Sequence, residues 1–414
     1  MRELEKRSVL AFSHFFSAYP RFTSPHSPPY HATMNTSPKL PGCAEKKATL
    51  DYCQRFPALQ QSGHFSDFLK TGIKLSSLGV GTFSGAATPQ VDESISQIVE
   101  TAICNGVNVI DTANHYRYGQ SLVAVARGIR AALNKGFSRE QLFLVSKAGF
   151  LVPELEKGEE FVHWFKREYV DSGLGSEKDL TRNHLLSPAY FEKAVDHCCE
   201  QLGVETVDAF LVDQPEVHIP AIGKEQLNQK LLKVFEVLER KVQENKIRYY
   251  GISTFNGFRV ETDDSLFQSL TSMLGLAEKA AQTVSAGTRH HFRLIQLPFN
   301  QIMPEGFTRF NQATGQGNIA STLQAAFQLK LYVMASHTLA KGHLASSENE
   351  SLNRLTPALE NAAQRAMQFN RSTPGVGTSL VGLSQIGHLH DFLKVVNTAP
   401  LSQKEYLSLY QKAD

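Results

Sequence analysis

Five short apolar runs each end in a polar residue, and this pattern restricts the folds that the chain can adopt. The runs are VNVID, FLVSK, VDAFLVD, YYGIS and FRLIQ, which end at Asp111, Lys147, Asp213, Ser253 and Gln296. They are rich in β-branched and aromatic residues, and helix-like stretches lie between them. Repeated β-α units of this kind predict parallel strands whose last residues meet at one rim. In a (β/α)8 barrel that rim carries the catalytic residues, so the pattern favours an enzyme.

The alternation continues along the chain and predicts eight strands and eight helices. The first strand is predicted at KLSSLGVGTF, and LYVMAS and TSLVG supply the last two. The helices are predicted at 91–105, 120–134, 187–202, 225–243, 264–284, 317–328, 355–369 and 385–396. One closed (β/α)8 barrel over residues 51–414 accommodates this count.

Residues 1–50 differ in composition from the rest of the chain. They include FTSPHSPPYHATMNTSPKLPG, which is too poor in apolar residues to order itself and predicts a disordered N-terminal extension. The preceding KRSVLAFSHFFSAYPRF is basic and apolar, as organelle presequences are, but Glu3 and Glu5 disfavour that interpretation. A cytoplasmic protein is expected, with targeting to mitochondria or another organelle as the alternative.

Charge and cysteine content exclude several classes of function. The net charge of +2 gives no electrostatic footprint for nucleic acid or an anionic membrane, and no apolar stretch approaches the ~18 residues of a membrane span. The five cysteines are an odd number without a C-x-x-C motif, so neither a disulfide framework nor a metal site is expected. A small-molecule substrate is therefore expected, while protein partners and oligomeric state stay open.

Six segments resemble, in order, those of the aldo/keto reductase family. They are VNVIDTANHYRYGQS, FLVSKAG, LSPAYFEKAVDHCCEQLGVETVDAFLVDQPE, KIRYYGIST, IQLPFNQI and STPGVGTSLVGLS. The resemblance implies a (β/α)8 barrel that reduces carbonyl groups with a nicotinamide cofactor, usually NADPH, without a Rossmann domain. Consistently, no G-x-G-x-x-G motif opens a helix, since Gly79-Val80-Gly81 is followed by Thr82.

Carbonyl reduction needs a proton for the developing alkoxide, and Tyr116, Lys147 and Asp111 can provide it. A tyrosine has a pKa near 10, but an ammonium about 4 Å away stabilises the phenolate by about 4 kcal/mol at an effective dielectric near 20. A carboxylate keeps that lysine charged and positioned. The resemblance maps the three residues onto the family's catalytic Tyr, Lys and Asp. Tyr118, which precedes Gly119, is the competing acid, but the five-residue spacing from Asp111 favours Tyr116.

Asp213 departs from the family pattern, which has a histidine there that donates a hydrogen bond to the substrate carbonyl. An ionised aspartate would repel a forming oxyanion and raise the pKa of Tyr116, whereas a protonated carboxyl could donate a hydrogen bond. The family's steroid double-bond reductases carry Glu at this position and reduce an activated C=C bond. An altered substrate such as an enone, weakened carbonyl reduction and lost catalysis all stay open. His218 is a candidate substitute, although an ordinary loop histidine is the more typical interpretation.

The resemblance also implies two parts of a cofactor site. Ser253 and Gln296 correspond to residues that hold the nicotinamide carboxamide, with Asn300 nearby and Thr254 in place of the usual Asn. Gly382, Ser384 and Gln385 lie in the segment that grips the 2′-phosphate and pyrophosphate. A Lys or Arg normally clamps such a phosphate, but Gln385 stands in its place and Phe392 replaces a further Asn. Arg371 and Lys394 are candidate replacements, NADPH is expected, and NADH is the alternative.

The insertion after Lys147, about residues 150–183, contains Trp164 and has two interpretations. It is either a lid with an aromatic wall or an amphipathic helix packed outside the barrel. For the whole chain the leading hypothesis is an NADP(H)-dependent carbonyl reductase. The alternative is a catalytically impaired nucleotide-binding regulatory protein, as potassium-channel β subunits show for the family. A Lys-dependent lyase is disfavoured because Asp111 would pair with Lys147.

Overall fold

Eight parallel strands close into a barrel in the part of the chain that the structure describes. The structure is a computed structural model and describes residues 38–153, 158–285, 287–315 and 317–411. The strands are β1 (Leu78–Gly81), β2 (Val109–Asp111), β3 (Phe143–Ala148), β4 (Val207–Asp213), β5 (Ile247–Ser253), β6 (Phe292–Pro298), β7 (Tyr332–Ser336) and β8 (Thr378–Gly382). All neighbours pair in parallel, including β8 with β1. The (β/α)8 prediction is confirmed.

Eight helices follow the strands and cover the outside of the barrel. They are α1 (Pro89–Cys104), α2 (Gln120–Leu133), α3 (Pro188–Leu202), α4 (Ile219–Gln243), α5 (Leu270–Ser285), α6 (Thr322–Gln328), α7 (Ala362–Arg371) and α8 (Leu389–Val396). Their starts follow from local sequence. For example, the Ser187 hydroxyl accepts a hydrogen bond from the Tyr190 amide, and Pro188 occupies the first turn, where no amide hydrogen is needed.

Four helices begin at least four residues later than predicted, at Leu270, Thr322, Ala362 and Leu389. Before α6 the chain forms an antiparallel ribbon of Phe310–Ala313 with Ile319–Ser321, which the sequence did not predict. Before α7 the chain forms the short helix Glu350–Leu355, which ends ahead of a proline at position 357 that cannot continue it.

An N-terminal ribbon closes the bottom of the barrel. Strands Phe65–Asp67 and Lys74–Ser76 pair in antiparallel fashion, and the chain between them buries Phe68 completely. The Phe68 ring centroid lies 5.1 Å from that of Phe143, 5.0 Å from that of Tyr249 and 5.1 Å from that of Tyr332. These partners belong to the starts of three barrel strands, so the floor is sealed by aromatic packing and ligands must enter from the opposite rim.

The described fold starts before residue 51, where the barrel domain was predicted to begin. The helix Lys46–Gln54 packs near the floor, and the Leu40 amide donates a hydrogen bond of 2.8 Å to the Gly203 carbonyl oxygen. Residues 38–50 are therefore part of the fold. The predicted disorder and targeting role of residues 1–37 lie outside the described residues. Among the described residues, no helix is long and apolar enough to cross a membrane.

The insertion between β3 and α3 contacts both α3 and the rim of the barrel. Its helix Phe161–Phe165 carries Trp164, which is 4% exposed. The Trp164 ring lies 5.3 Å from that of Tyr169, which in turn lies 6.0 Å from that of Tyr190 in α3. Trp164 thus belongs to an aromatic cluster that reaches α3, and both interpretations of the insertion stay predictions.

Candidate active site

Asp111 and Lys147 form a buried ion pair at the rim, where β2 and β3 end side by side. The Lys147 Nζ lies 2.7 Å from Asp111 Oδ1, 2.8 Å from Asp111 Oδ2 and 3.0 Å from the Thr112 carbonyl oxygen. Three acceptors match the three N–H donors of an ammonium. The lysine is therefore held in one orientation, and its charge acts on its surroundings beside a fixed carboxylate.

Tyr116 lies over this lysine, in the loop that follows β2. The Lys147 Nζ is 4.8 Å from the centroid of the Tyr116 ring. Arg117 fixes the loop, since its guanidinium donates a 2.5 Å hydrogen bond to Asp92 Oδ1 and is buried with it. Tyr118, the competing acid, is 38% exposed. Of the two tyrosines, Tyr116 is the one whose ring faces the ammonium.

Gln296 and Ser253 extend the network across the barrel mouth. The Gln296 Nε2 donates to Asp111 Oδ1 at 2.9 Å, and the Ser253 hydroxyl donates to Gln296 Oε1 at 3.1 Å. The ends of β2, β3, β5 and β6 are thus joined by hydrogen bonds between side chains. The structure brings these predicted residues together in one buried polar cluster.

Thr254 and Asn300 hold loops beside that cluster. The Thr254 hydroxyl donates to Glu216 Oε1 at 2.6 Å and accepts from the Gly257 amide at 2.7 Å. The Asn300 Nδ2 donates to the His337 carbonyl oxygen at 2.8 Å. Both polar groups are engaged within the protein, so a role for Thr254 in cofactor binding would require exchange of its present partners.

Asp213 completes the rim at the end of β4 and is 3% exposed. Burial raises the pKa of Asp213 to about 7. The Lys147 charge and the nearby Ser253 hydroxyl oppose that rise, whereas the carboxylates of Glu216 and Asp111 add to it. The Asp213 carboxyl is therefore partly protonated near neutral pH, which is one of the states that the sequence left open.

His115 is a residue of this site that the sequence analysis missed. Its Nε2 lies 3.5 Å from Asp213 Oδ2, and its ring packs edge-on against the Tyr116 ring at a centroid distance of 4.9 Å. Burial and the charge of Lys147 lower the pKa of His115 to about 3, so the imidazole is neutral. Neither ring nitrogen has a hydrogen-bond partner in the described part of the chain. The only signal in the sequence was its place between Asp111 and Tyr116.

Two further histidines fix the backbone of Asp213. The Nε2 of His184, from the insertion, lies 2.6 Å from the Asp213 carbonyl oxygen. The Nδ1 of the same ring lies 2.9 Å from His218 Nε2. The His218 Nδ1 is 2.9 Å from the Thr181 hydroxyl. Because a carbonyl only accepts, each Nε2 carries the proton along this chain. His218, the candidate substitute for the missing catalytic histidine, therefore faces His184 and supports it.

The predicted phosphate-binding segment lies at the end of β8, next to the loop after β1. Gly382 and Gln385 are exposed and Ser384 is half-buried. A Cβ on Gly382 would lie 2.9 Å from the Ser84 hydroxyl oxygen, so only glycine lets these two backbones approach without displacing that side chain. The segment and the loop after β1 are therefore in close contact at this glycine.

The cations proposed as phosphate clamps are placed differently. Arg371 is buried and donates to the Val395 carbonyl oxygen, and its charge, after burial, lowers the pKa of the floor residue His64 to about 3. It therefore faces the floor. Lys394 is paired with Glu360 at 2.9 Å. Lys341 lies in the loop after β7, the strand that pairs with β8.

That loop is tied to β8 by a hydrogen bond of 2.7 Å from the Thr338 hydroxyl to the Leu380 carbonyl oxygen. Burial lowers the pKa of Lys341, as expected for a partly desolvated ammonium that an anion would stabilise. Among the described residues, no group of three or more His, Cys, Asp or Glu side chains is arranged to hold a metal ion.

Comparison with known proteins confirms the resemblance drawn from the sequence. Residues 77–263 match the aldo/keto reductase family. An NADH-specific methylglyoxal reductase from Escherichia coli (strain K12) is 28% identical over 147 residues, which span 34% of this chain and 39% of that relative.

Two solved structures share the fold. Aldo-keto reductase AKR11C1 from Bacillus halodurans, in its holo form, has a TM-score of 0.55 at 17% identity, covering 84% of this chain and 97% of its own. An aldo/keto reductase from Klebsiella pneumoniae, in complex with NADP and acetate, has a TM-score of 0.51 at 18% identity, covering 82% of this chain and 91% of its own.

Proposed function

We propose that this barrel, which resembles the aldo/keto reductase family, is an NADP(H)-dependent oxidoreductase that reduces aldehyde or ketone carbonyls with Tyr116 as general acid. The observation that carries the proposal is the stacking of Tyr116 over Lys147 while Asp111 holds that lysine. A tyrosine above a fixed ammonium, at the catalytic rim of a barrel, has the arrangement that proton donation to an alkoxide requires.

Tyr116, Lys147 and Asp111 each have a separate role in this reaction. Bound reduced nicotinamide supplies the hydride that reaches the carbonyl carbon. The Tyr116 hydroxyl gives its proton to the carbonyl oxygen as negative charge develops there. Lys147 favours the phenolate that remains, and Asp111 keeps Lys147 charged while cancelling part of its field. The three N–H contacts of Lys147 are all to other atoms, so it acts on Tyr116 through its charge.

The residues at the rim fit the nicotinamide end of the cofactor better than the phosphate end. Ser253 and Gln296 present a hydroxyl and an amide, which suit a carboxamide, next to the proposed acid. The segment Gly382–Gln385 lacks a cation, and Lys341 on the adjoining loop is our candidate for the 2′-phosphate. NADPH is the proposed cofactor, supported by the Klebsiella pneumoniae structure with NADP, and NADH is the alternative, as in the E. coli relative.

The test combines cofactor binding with one substitution. NADPH and NADH binding would be measured by calorimetry, followed by a screen of carbonyl compounds that starts with 2-oxoaldehydes because of the methylglyoxal reductase relative. Tyr116→Phe should lower kcat by about 10²–10⁴-fold and leave cofactor affinity unchanged, because it removes only the acidic proton. Tyr118→Phe is the matched control and should retain activity.

A second candidate function is favoured by Asp213, which stands where the family has a catalytic histidine. It is a regulatory protein that binds nucleotide without turnover. Tight cofactor binding with no reduction of any carbonyl or enone would support it. Reduction of enones alone would assign the activity to an activated C=C bond. Absence of binding by either nucleotide would refute both the reductase and the regulatory proposal.

A further inference from the structure

His115 is a buried polar side chain that the packing of the protein does not explain. Its side chain is 2% exposed, and neither nitrogen has a hydrogen-bond partner among the described residues. Leaving a buried donor or acceptor without a partner destabilises a protein. The polar group that faces it is Asp213 Oδ2, 3.5 Å from Nε2, slightly beyond good hydrogen-bond length. A small closure would join the two groups.

The number of protons on His115 and Asp213 determines whether the pair can donate a hydrogen bond to a ligand. When the pair is neutral overall, it carries two labile protons. With one of them between Nε2 and Oδ2, the other is on His115 Nδ1, which is then a donor. When the pair loses one proton, Nε2–H faces a carboxylate and Nδ1 becomes a bare acceptor. The pair therefore presents a donor only in its protonated state.

We propose that His115 and Asp213 form a proton-holding pair, and that His115 Nδ1–H donates a second hydrogen bond to the carbonyl oxygen of the substrate, beside Tyr116. The ring of Tyr116 packs edge-on against that of His115, so both side chains belong to one wall of the site. Two donors that converge on the oxygen would stabilise the charge that develops there. The inference rests on the proposed carbonyl reduction and adds a residue to it.

Six titratable groups surround the pair and set its protonation. They are Tyr116 and Asp111 from β2 and its loop, Lys147 from β3, Glu216 from the loop after β4, His184 from the insertion and Tyr190 from α3. Lys147 favours ionised Asp213, but burial and the two neighbouring carboxylates outweigh it and raise the pKa of Asp213 to about 7. The donor should therefore be lost as the pH rises through about 7.

The kinetic test compares the pH dependence of kcat/KM in four proteins. In the wild type, kcat/KM should fall about tenfold for each pH unit above about 7. In Asp213→Asn the amide donates to Nε2 at every pH and keeps the proton on Nδ1, so this limb should vanish. His115→Asn keeps a donor near Nδ1 that does not depend on the pair, so its limb should be shallower than that of the wild type. His115→Leu removes the donor and should lower kcat/KM by about 10²–10³-fold below pH 7, with a smaller difference above pH 7, where the wild type has also lost the donor.

Two outcomes would overturn the pair. One is an alkaline limb in Asp213→Asn that is identical to that of the wild type, and the other is a His115→Leu variant that is as active as the wild type. Thermal unfolding of each variant separates these effects from misfolding. If the leucine variant does not fold, the two Asn variants still test the pair, because each keeps a polar side chain at the substituted position.

A measurement that needs no turnover distinguishes failure of the pair from failure of the proposed function. The ¹⁵N resonances of the histidines in the intact protein are recorded against pH, and the His115→Asn variant identifies the His115 signals. They should shift with a midpoint near pH 7 in the wild type and stay constant in Asp213→Asn. Constant wild-type signals refute the pair even if carbonyls are reduced. A normal titration without reduction of any carbonyl refutes the second hydrogen bond together with the proposed function.

Discussion

The two ends of β4 each carry a buried aspartate, and the two differ in how they are bonded. At the floor, Asp208 Oδ2 accepts from the Arg139 guanidinium at 2.7 Å and from the Leu144 amide at 2.8 Å, while Oδ1 accepts from the Ala44 amide at 2.6 Å. At the rim, Asp213 faces His115 at 3.5 Å. The strand thus starts with a carboxylate that the protein bonds on both oxygens, and it ends with one that faces an imidazole slightly beyond good hydrogen-bond length.

Along this one strand, the floor carboxylate contributes to stability, whereas the rim carboxyl belongs to the candidate active site. The floor carboxylate is ionised and neutralised in place, so it stabilises the fold and joins the chain before the barrel to β3 and β4. The rim carboxyl keeps a raised pKa and an unsatisfied neighbour, a cost that a protein retains where a ligand will complete the bonding. In barrels of this type the bottom face serves stability and the top face serves catalysis.

Removing the floor carboxylate should have the largest effect on stability. Asp208→Ala leaves Arg139 buried without a counter-ion, so the free energy of unfolding should fall by about 3–5 kcal/mol. Urea denaturation measures the loss, and the kcat of the remaining folded protein should stay unchanged at low temperature. Asp196→Ala, whose side chain is 49% exposed, is the control and should cost at most about 1 kcal/mol. Equal losses in both variants would show that the floor network is unimportant.

Substituting the rim carboxyl should raise the free energy of unfolding above neutral pH, whereas substituting the floor carboxylate should lower it. The folded pKa of Asp213, about 7, lies above its unfolded value near 4, so wild-type stability from this group is present below pH ~4 and is lost as the pH rises to about 7. Asp213→Asn lacks this loss. Relative to the wild type it should gain on the order of a few kcal/mol between pH ~4 and pH ~8, measured by urea denaturation. A stability difference that does not change with pH would contradict the raised pKa.

The backbone of Asp213 should be sensitive to position 149. Gly149 has φ +151°, and a Cβ there would lie 2.3 Å from His184 Nε2 and 2.8 Å from the Asp213 carbonyl oxygen. Gly149→Ala should therefore break the buried bond between those atoms, lower the free energy of unfolding by about 1–3 kcal/mol and reduce kcat/KM. Gly136→Ala is the matched control, since Gly136 has φ +84° with no atom within 4 Å of the added Cβ. It should cost less and leave kcat/KM unchanged.

The sequence predicted the barrel and its strand-terminal residues because both depend on local periodicity. Asp111, Lys147 and Gln296 end runs whose pattern identifies buried strands, and the barrel then places them together. His115 and His184 could not be found in this way. The first lies in a turn without periodicity, and the second lies in an insertion, so that its contact with Asp213 arises only from tertiary packing. The ribbon at Phe310–Ala313 was missed because its two strands, of four and three residues, are too short to show a periodic pattern.

The floor and the rim also differ in their cations, and substituting the rim cation should have the smallest effect of these variants. Arg371 serves the floor, whereas Lys341 lies on the loop beside β8, where it is our candidate for binding the 2′-phosphate. Lys341→Ala should weaken NADPH binding about tenfold, which corresponds to about 1.4 kcal/mol, and leave NADH binding almost unchanged, because only NADPH carries that phosphate. Calorimetry with both nucleotides measures the two affinities. Lys394→Ala, which removes an exposed cation paired with Glu360, is the control and should change neither. A parallel loss of NADPH and NADH affinity in Lys341→Ala would instead place Lys341 at the pyrophosphate that both nucleotides share.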